Sequence, residues 1–231
     1  MCGIVGFQNF EKVNFDCEKK LREITKTLNH RGPDYCGFWK SSSGNTFLGH
    51  TRLSIIDLST NGSQPMVSIN GRYVIVFNGE IYNYKLIKKD LKKKFDVKFN
   101  NETDTSVLLE SISFLGLRKT LKLIEGMFAF ALFDNKDESI TLVRDRYGEK
   151  PLFYYFDENN FIFSSELKAI KKFFEKQKLE IDSESSKLFS CLGYIPAPLT
   201  IFKKTYKVLP AQIIKIKEKK NNRKREILGF R

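Results

Sequence analysis

Apolar positions recur along this chain at two spacings. From Asp16 to Leu28, the residues Leu21, Ile24 and Leu28 fall three and four apart, as on one face of a helix, and Asp16 can cap its start. The lysine-rich stretch Lys85–Lys98 repeats the pattern, with Leu86, Ile87, Leu91 and Phe95 as its apolar face. A third helix is expected to begin at Asp104 or Thr105, with Val107, Leu108, Ile112 and Leu115 inward, and a short one follows over Leu117–Ile124. Other runs read as strands: TFLGHTRLSIIDL (Thr46–Leu58), RYVIVFNGEIYNY (Arg72–Tyr84), GMFAFALFD and SITLVRD around the polar link NKDE, and PLFYYFD and FIFSSE around ENN. HRGPD (His30–Asp34) and NGSQPM (Asn61–Met66) break the pattern as loops. Consecutive strands with short polar links predict largely antiparallel sheets, and helices grouped between them predict an α+β fold with helices layered on sheets.

After Ile170 the composition shifts. FFEKQKLEIDSESS is polar and reads as a connector, SCLGYIPAPLTIF as the start of something new, and the tail as a hairpin around Asn221-Asn222. No apolar stretch reaches the roughly 18 residues of a membrane span, and MCGIVGFQNF lacks the basic leader and long apolar region of a signal peptide. The expected location is cytoplasmic. The four cysteines, Cys2, Cys17, Cys36 and Cys191, form no C-x-x-C pair, and there are two histidines, so neither a metal site nor a disulfide framework is expected.

A net charge of +13 raises the question of nucleic acid, but its placement argues against it. Residues 85–98 carry +5 and residues 215–231 carry +6, which leaves about +2 for the rest. The first run is the wet face of an amphipathic helix, and neither run has the interleaved aromatics that stack on bases.

The candidate chemistry begins at the second residue. If Met1 is removed, Cys2 carries a thiol and a free α-amine, a nucleophile with its own base. The unperturbed amine titrates near 7.7–8.0, so it is partly neutral at cytosolic pH. The plainer alternative is a cysteine at the start of a buried strand. A cysteine that attacks an amide needs an oxyanion hole. Asn78 offers a side-chain amide, and Gly79 offers a backbone N–H that a ligand can approach closely. The same Asn-Gly pair could be a hairpin turn. Arg52 can grip a carboxylate bidentately or form a surface ion pair, and Asp104 can accept from an ammonium or cap a helix. Together the four features describe a site that hydrolyses the side-chain amide of an amino acid.

The strings MCGIVGF, HRGPD, GHTRLSIIDLSTNGSQPM, FNGEIYNY, ETDTSVLL, EGMFAFALFD, RDRYGEKPLFYY and FSSELKAI resemble the glutaminase half of glutamine-hydrolysing asparagine synthetases, among the class II glutamine amidotransferases. That resemblance implies the four-layer αββα sandwich of N-terminal-nucleophile hydrolases. It implies Cys2 as nucleophile, with Asn78 and Gly79 as the oxyanion hole. Arg52 would hold the glutamine carboxylate, Asp104 and Glu80 would sit at its α-ammonium, and the backbone of Leu53, Ser54, Ile55 and Ile56 would line the pocket. The reaction implied runs through a γ-glutamyl thioester, with no cofactor. The domain division expected is 2–170 for the glutaminase, 171–190 for a connector and 191–231 for the truncated start of an ATP domain. ATP and magnesium serve that second domain in the family, but its Ser-Gly-Gly-x-Asp-Ser pyrophosphate loop does not occur here. The chain is therefore expected to hydrolyse glutamine and not to adenylate.

The expected partners are L-glutamine and a separate or missing synthetase domain. Nucleic acid and membrane are not expected, and the oligomeric state stays open, a homodimer included. The ammonia acceptor is aspartate in the family that the chain resembles, and another carboxylate is the alternative. A reading of a different class is a non-catalytic module that binds glutamine or docks on a synthetase subunit. Retention of Met1 would favour it.

Overall fold

The computed structural model describes residues 1–11, 13–54, 62–99, 101, 103–175, 178–217 and 226–230, the last five by backbone alone. Among them, β1 (Gly3–Asn9), β2 (Tyr35–Lys40), β3 (Thr46–Arg52), β8 (Phe153–Phe156), β9 (Asn160–Ser164) and β10 (Thr205–Lys207) form one six-stranded sheet, in the order β10-β8-β9-β1-β3-β2. The second sheet holds β4 (Met66–Val67), β5 (Tyr73–Ile81), β6 (Gly126–Asp134), β7 (Ser139–Arg144), β11 (Ile213–Lys217) and β12 (Glu226–Phe230), in the order β12-β11-β7-β6-β5-β4. Neighbouring strands pair antiparallel in both, as the short polar links predict.

The side-chain alternation of each strand sorts its residues into layers. In β1, Ile4 enters the core between the sheets, while Val5 and Phe7 enter a core with α1 (Cys17–Lys26) and α5 (Leu167–Phe173). In β5, Val74 and Val76 face the sheet–sheet core, whereas Ile75, Phe77 and Ile81 pack under α2 (Tyr84–Phe95) and α3 (Asp104–Leu115). Strands buried on both faces explain the near-continuous apolar runs such as GMFAFALFD. The result is the expected α+β arrangement of two sheets face to face with helices outside.

Helix α1 starts where the sequence predicts, with the Asp16 carboxylate accepting from the Lys19 N–H. In α2 the inward face differs from the expected one. Ile87 and Leu91 are buried, but Leu86 is 70% exposed and Phe95 is also exposed, while Lys88 is buried. Its ammonium donates to the Asn101 carbonyl at 3.3 Å and lies 5.0 Å from the Phe99 ring, so the buried face is rotated away from Leu86 toward the aliphatic stem of Lys88.

Within 191–231, expected to open another domain, residues 205–207, 213–217 and 226–230 form strands of the two sheets. β10 pairs with β8, and β11 pairs with β7, which buries Val208, Ile214 and Ile216 in the sheet–sheet core. β11 and β12 pair antiparallel from Lys217–Glu226 outward, while the hairpin turn expected at Asn221-Asn222 lies outside the described residues. Among the described residues no helix is long and apolar enough to cross a membrane.

Candidate active site

Strand parity brings the predicted residues together. Cys2 immediately precedes β1 and shares the parity of Ile4, which faces the sheet–sheet layer. Arg52 ends β3 with the parity of Leu48, and Asn78 lies in β5 with the parity of Val74 and Val76. All three reach the same end of that layer and line one cavity of about 170 Å³. An engineered cavity of about 150 Å³ holds one benzene, so this one suits a single small molecule. A larger cavity of about 690 Å³ lies far from this chemistry, against α1 and Phe173–Glu175.

The Asn78-Gly79 step is not a turn. It lies inside the nine-residue strand β5, paired to β6 without interruption from Tyr73 to Ile81. Gly79 is required there by its neighbour: a Cβ would collide with the Met127 carbonyl oxygen and come within 2.7 Å of the Phe128 Cα. Residues 77, 79 and 81 turn their N–H groups away from β6, by the alternation of an antiparallel pair. The Phe77 N–H donates to Gln64 Oε1 at 2.6 Å, and the Ile81 N–H donates to Asp104 Oδ2 at 2.9 Å. The Gly79 N–H lies between these two on the same strand edge, facing the cavity. The Asn78 side chain is 1% exposed, and its Nδ2 has no hydrogen-bond acceptor. A buried amide donor without a partner costs free energy, which is unusual unless a ligand completes it.

At Cys2, the Leu53 N–H donates to Sγ at 3.5 Å and the Arg31 Nε donates to the Cys2 carbonyl at 3.0 Å. Arg31 is itself paired with Glu166 at 3.0 Å. Burial pushes the Cys2 thiol above its ordinary value; the Leu53 N–H, the amino terminus and Arg52 oppose this, and the Asp104 carboxylate adds to it. The thiol is therefore protonated at neutral pH and needs a base to become a nucleophile. Neither histidine lines the cavity. His50 is fully buried, donates from Nε2 to the Phe77 carbonyl at 3.1 Å and is held neutral, down to about 4, mainly by desolvation. His30 sits on Glu166.

Asp104 is the first residue of α3, and the cap is Thr103, whose hydroxyl accepts from the Ser106 N–H. That leaves the Asp104 carboxylate for the Ile81 and Thr105 N–H groups. Burial raises its pKa, and those two hydrogen bonds limit the rise. Glu80 is exposed at the cavity mouth. The Arg52 guanidinium packs on Gly62, where a Cβ would stand 2.5 Å from it. Leu53 lines the cavity, whereas the Ser54 N–H is taken by the Asp34 carboxylate at 2.7 Å and Ser54 is absent from the lining. Ile55 and Ile56 lie outside the described residues.

Sequence reasoning missed Gln64, Thr103, Thr105, Met127 and Lys150 in the lining. Gln64 links Phe77 to Thr105, which its Nε2 reaches at 3.4 Å. The strings NGSQPM and RDRYGEKPL held the signal for Gln64 and Lys150, but no local chemistry distinguishes them there. Among the described residues no three His, Cys, Asp or Glu side chains gather as a metal would need.

Residues 1–226 match the family model described as a glutamine amidotransferase domain. The chain belongs to that family. This amidotransferase domain is 40% identical over 225 residues to a putative glutamine-hydrolyzing asparagine synthetase 2 of Methanocaldococcus jannaschii, a match that covers 90% of this chain and 42% of the relative. It is 34% identical over 212 residues to the glutamine-hydrolyzing asparagine synthetase 1 of Bacillus subtilis, which covers 91% of this chain and 32% of that one. The chain thus spans less than half the length of these relatives. In fold it is similar to the glutamine phosphoribosylpyrophosphate amidotransferase of B. subtilis, solved with ADP and GMP, at a TM-score of 0.70 and 17% identity, over 100% of this chain and 49% of that one.

Proposed function

We propose that this amidotransferase domain hydrolyses L-glutamine to glutamate and ammonia through a thioester on Cys2. The observation that carries this reading is the orphaned Asn78 amide donor beside a half-buried thiol in one small cavity. With Met1 removed, the Cys2 α-amine takes the thiol proton, directly or through one water. The thiolate adds to the side-chain amide carbon of glutamine. Asn78 Nδ2 and the Gly79 N–H donate to the oxygen that becomes negative in that step. The protonated amine returns its proton to the leaving nitrogen, and ammonia departs. Water, deprotonated by the same amine, then releases glutamate. Arg52 holds the substrate carboxylate, and Asp104 with Glu80 accepts from its ammonium.

The glutaminase unit in this reading runs past residue 170, because strands β10 to β12 complete its two sheets. The names of the relatives support aspartate as the ammonia acceptor and asparagine as the final product. ATP and magnesium belong to that later chemistry. No residue here is assigned to them, since the Ser-Gly-Gly-x-Asp-Ser loop does not occur in the sequence.

The experiment is glutamate release from glutamine by the purified chain with its native N-terminus. Met1 removal is confirmed by intact mass, and the wild type is compared with Cys2→Ala. Activity lost in the variant is the expected result. Equal activity in both would overturn the assignment.

A further inference from the structure

Lys150 lines the same cavity and has no role in the scheme above. It is 7% exposed, an unusual state for a lysine without a carboxylate partner. Among the described residues no Asp or Glu lies within ion-pair distance of its ammonium. Its one side-chain hydrogen bond goes to the Met1 thioether, 3.5 Å from Nζ and a weak acceptor. Its backbone is held firmly. Asp145 accepts from the N–H groups of Phe128, Tyr147, Glu149 and Lys150. The Arg144 guanidinium donates to the carbonyls of Lys150, Gly148 and Val208. The loop between β7 and β8 is thus a fixed mount that delivers one cation to the cavity.

Removal of Met1 takes away that thioether and exposes the α-amine of Cys2. Met1, Cys2 and Lys150 line the same cavity, so the amine emerges into the space that the Lys150 ammonium occupies. Resting on the glutaminase reading, we propose that Lys150 is a positioning residue that keeps the Cys2 α-amine neutral and able to accept the thiol proton. A nearby like charge disfavours the protonated amine.

The other charged groups around Cys2 come from the surrounding strands, helices and loops. Arg52 on β3 acts in the same direction. Arg31, after α1, also does, but Glu166 is paired with it. Glu80 on β5 and Asp104 on α3 act in the opposite direction. Two backbone N–H groups draw on the Asp104 charge, and Glu80 sits at the solvent-exposed mouth. Asp145, under the loop, spends its carboxylate on four N–H groups. Lys150 is a buried cation that, among the described residues, has no carboxylate partner.

The test uses the full chain with Met1 removal confirmed by mass, as wild type, Lys150→Met, Lys150→Gln and Lys150→Arg. The Cys2 amine is titrated by NMR with labelled cysteine, and the pH profile of kcat/KM for glutamine is recorded. The expected wild-type amine pKa is below the ordinary range of about 7.7–8.0. Both neutral variants should raise it by about one unit and move the acidic limb equally, a loss of about four- to eightfold at pH 7 that recovers at high pH. Lys150→Arg should restore both. An amine pKa unmoved in the neutral variants, or a rate loss uniform with pH, overturns the proposal. Should neither neutral variant fold, a wild-type amine pKa at or above the ordinary range overturns it alone. A wild type that turns over no glutamine defeats the glutaminase reading, while the NMR titration still decides the role of Lys150.

Discussion

Asn78→Ala separates catalysis from folding more sharply than any other change in this cavity. The side chain is buried, yet its Nδ2 donates to nothing. Truncation therefore breaks no hydrogen bond made by that donor, and it relieves the desolvation of an unpaired amide, worth about 1–3 kcal/mol. The small void it leaves offsets part of that gain. The expected change in Tm is within about 4 °C, the shift for roughly 1 kcal/mol in a domain of this size. In the proposed mechanism the transition state loses one of two oxyanion donors, which costs about 2.7–4 kcal/mol, or about 100- to 1,000-fold in kcat. KM for glutamine should change little, because the donor serves a charge absent from the ground state. Steady-state glutamate release and thermal unfolding on the same preparation read both quantities. A kcat within a few-fold of wild type would refute the oxyanion role. A Tm lowered by about 10 °C or more would show that the amide serves the fold instead.

Gly79→Ala should act in the opposite way. The added Cβ meets the backbone of β6, which cannot step aside, so a loss of about 3 kcal/mol or more is expected, and normal stability in a thermal melt would refute the close approach. Glu166→Gln should show a pH signature. Burial alone would raise the Glu166 pKa, but hydrogen bonds from Arg31, His30 and Lys168 outweigh it and hold it at about 2. Its unfolded value is near 4.3, so its contribution is present above that pH and is lost as pH falls through about 2. After discounting for partial exposure this is worth about 1 kcal/mol, so the variant should melt about 2–4 °C lower at pH 7 and level with wild type near pH 2. A difference equal at both pH values would contradict the ion-pair account. The same variant loosens Arg31 on the Cys2 carbonyl, so kcat should fall with it at pH 7.

Much of the fold was legible because it rests on local rules. Asp16 caps α1, NKDE links β6 to β7, and the apolar stripe Val107, Leu108 and Ile112 turns α3 inward. The second helix was misread at Leu86, since its inward face is set by what lies beneath it, and that face is rotated toward Lys88, whose aliphatic stem can be buried while its ammonium reaches the Asn101 carbonyl. The Asn78-Gly79 pair suits a turn by local propensity. Only the partner strand β6, in register through both residues, keeps it extended.

By itself the sequence determined the residue types of the site, Cys2, Arg52, Asn78, Gly79 and Asp104, and a resemblance to glutamine-hydrolysing enzymes that the family match bears out. It also determined the elements that carry them, through periodicity and capping. Tertiary structure alone decided that Cys2, Arg52 and Asn78 open onto the same end of the layer between two sheets, because that depends on strand parity and on which faces meet. It alone turned Asp104 from a helix cap into an acceptor for the Ile81 N–H, drew 205–207, 213–217 and 226–230 into the sheets, and buried Lys150 beside Met1. These are contacts between residues far apart in the chain, and no local preference encodes them.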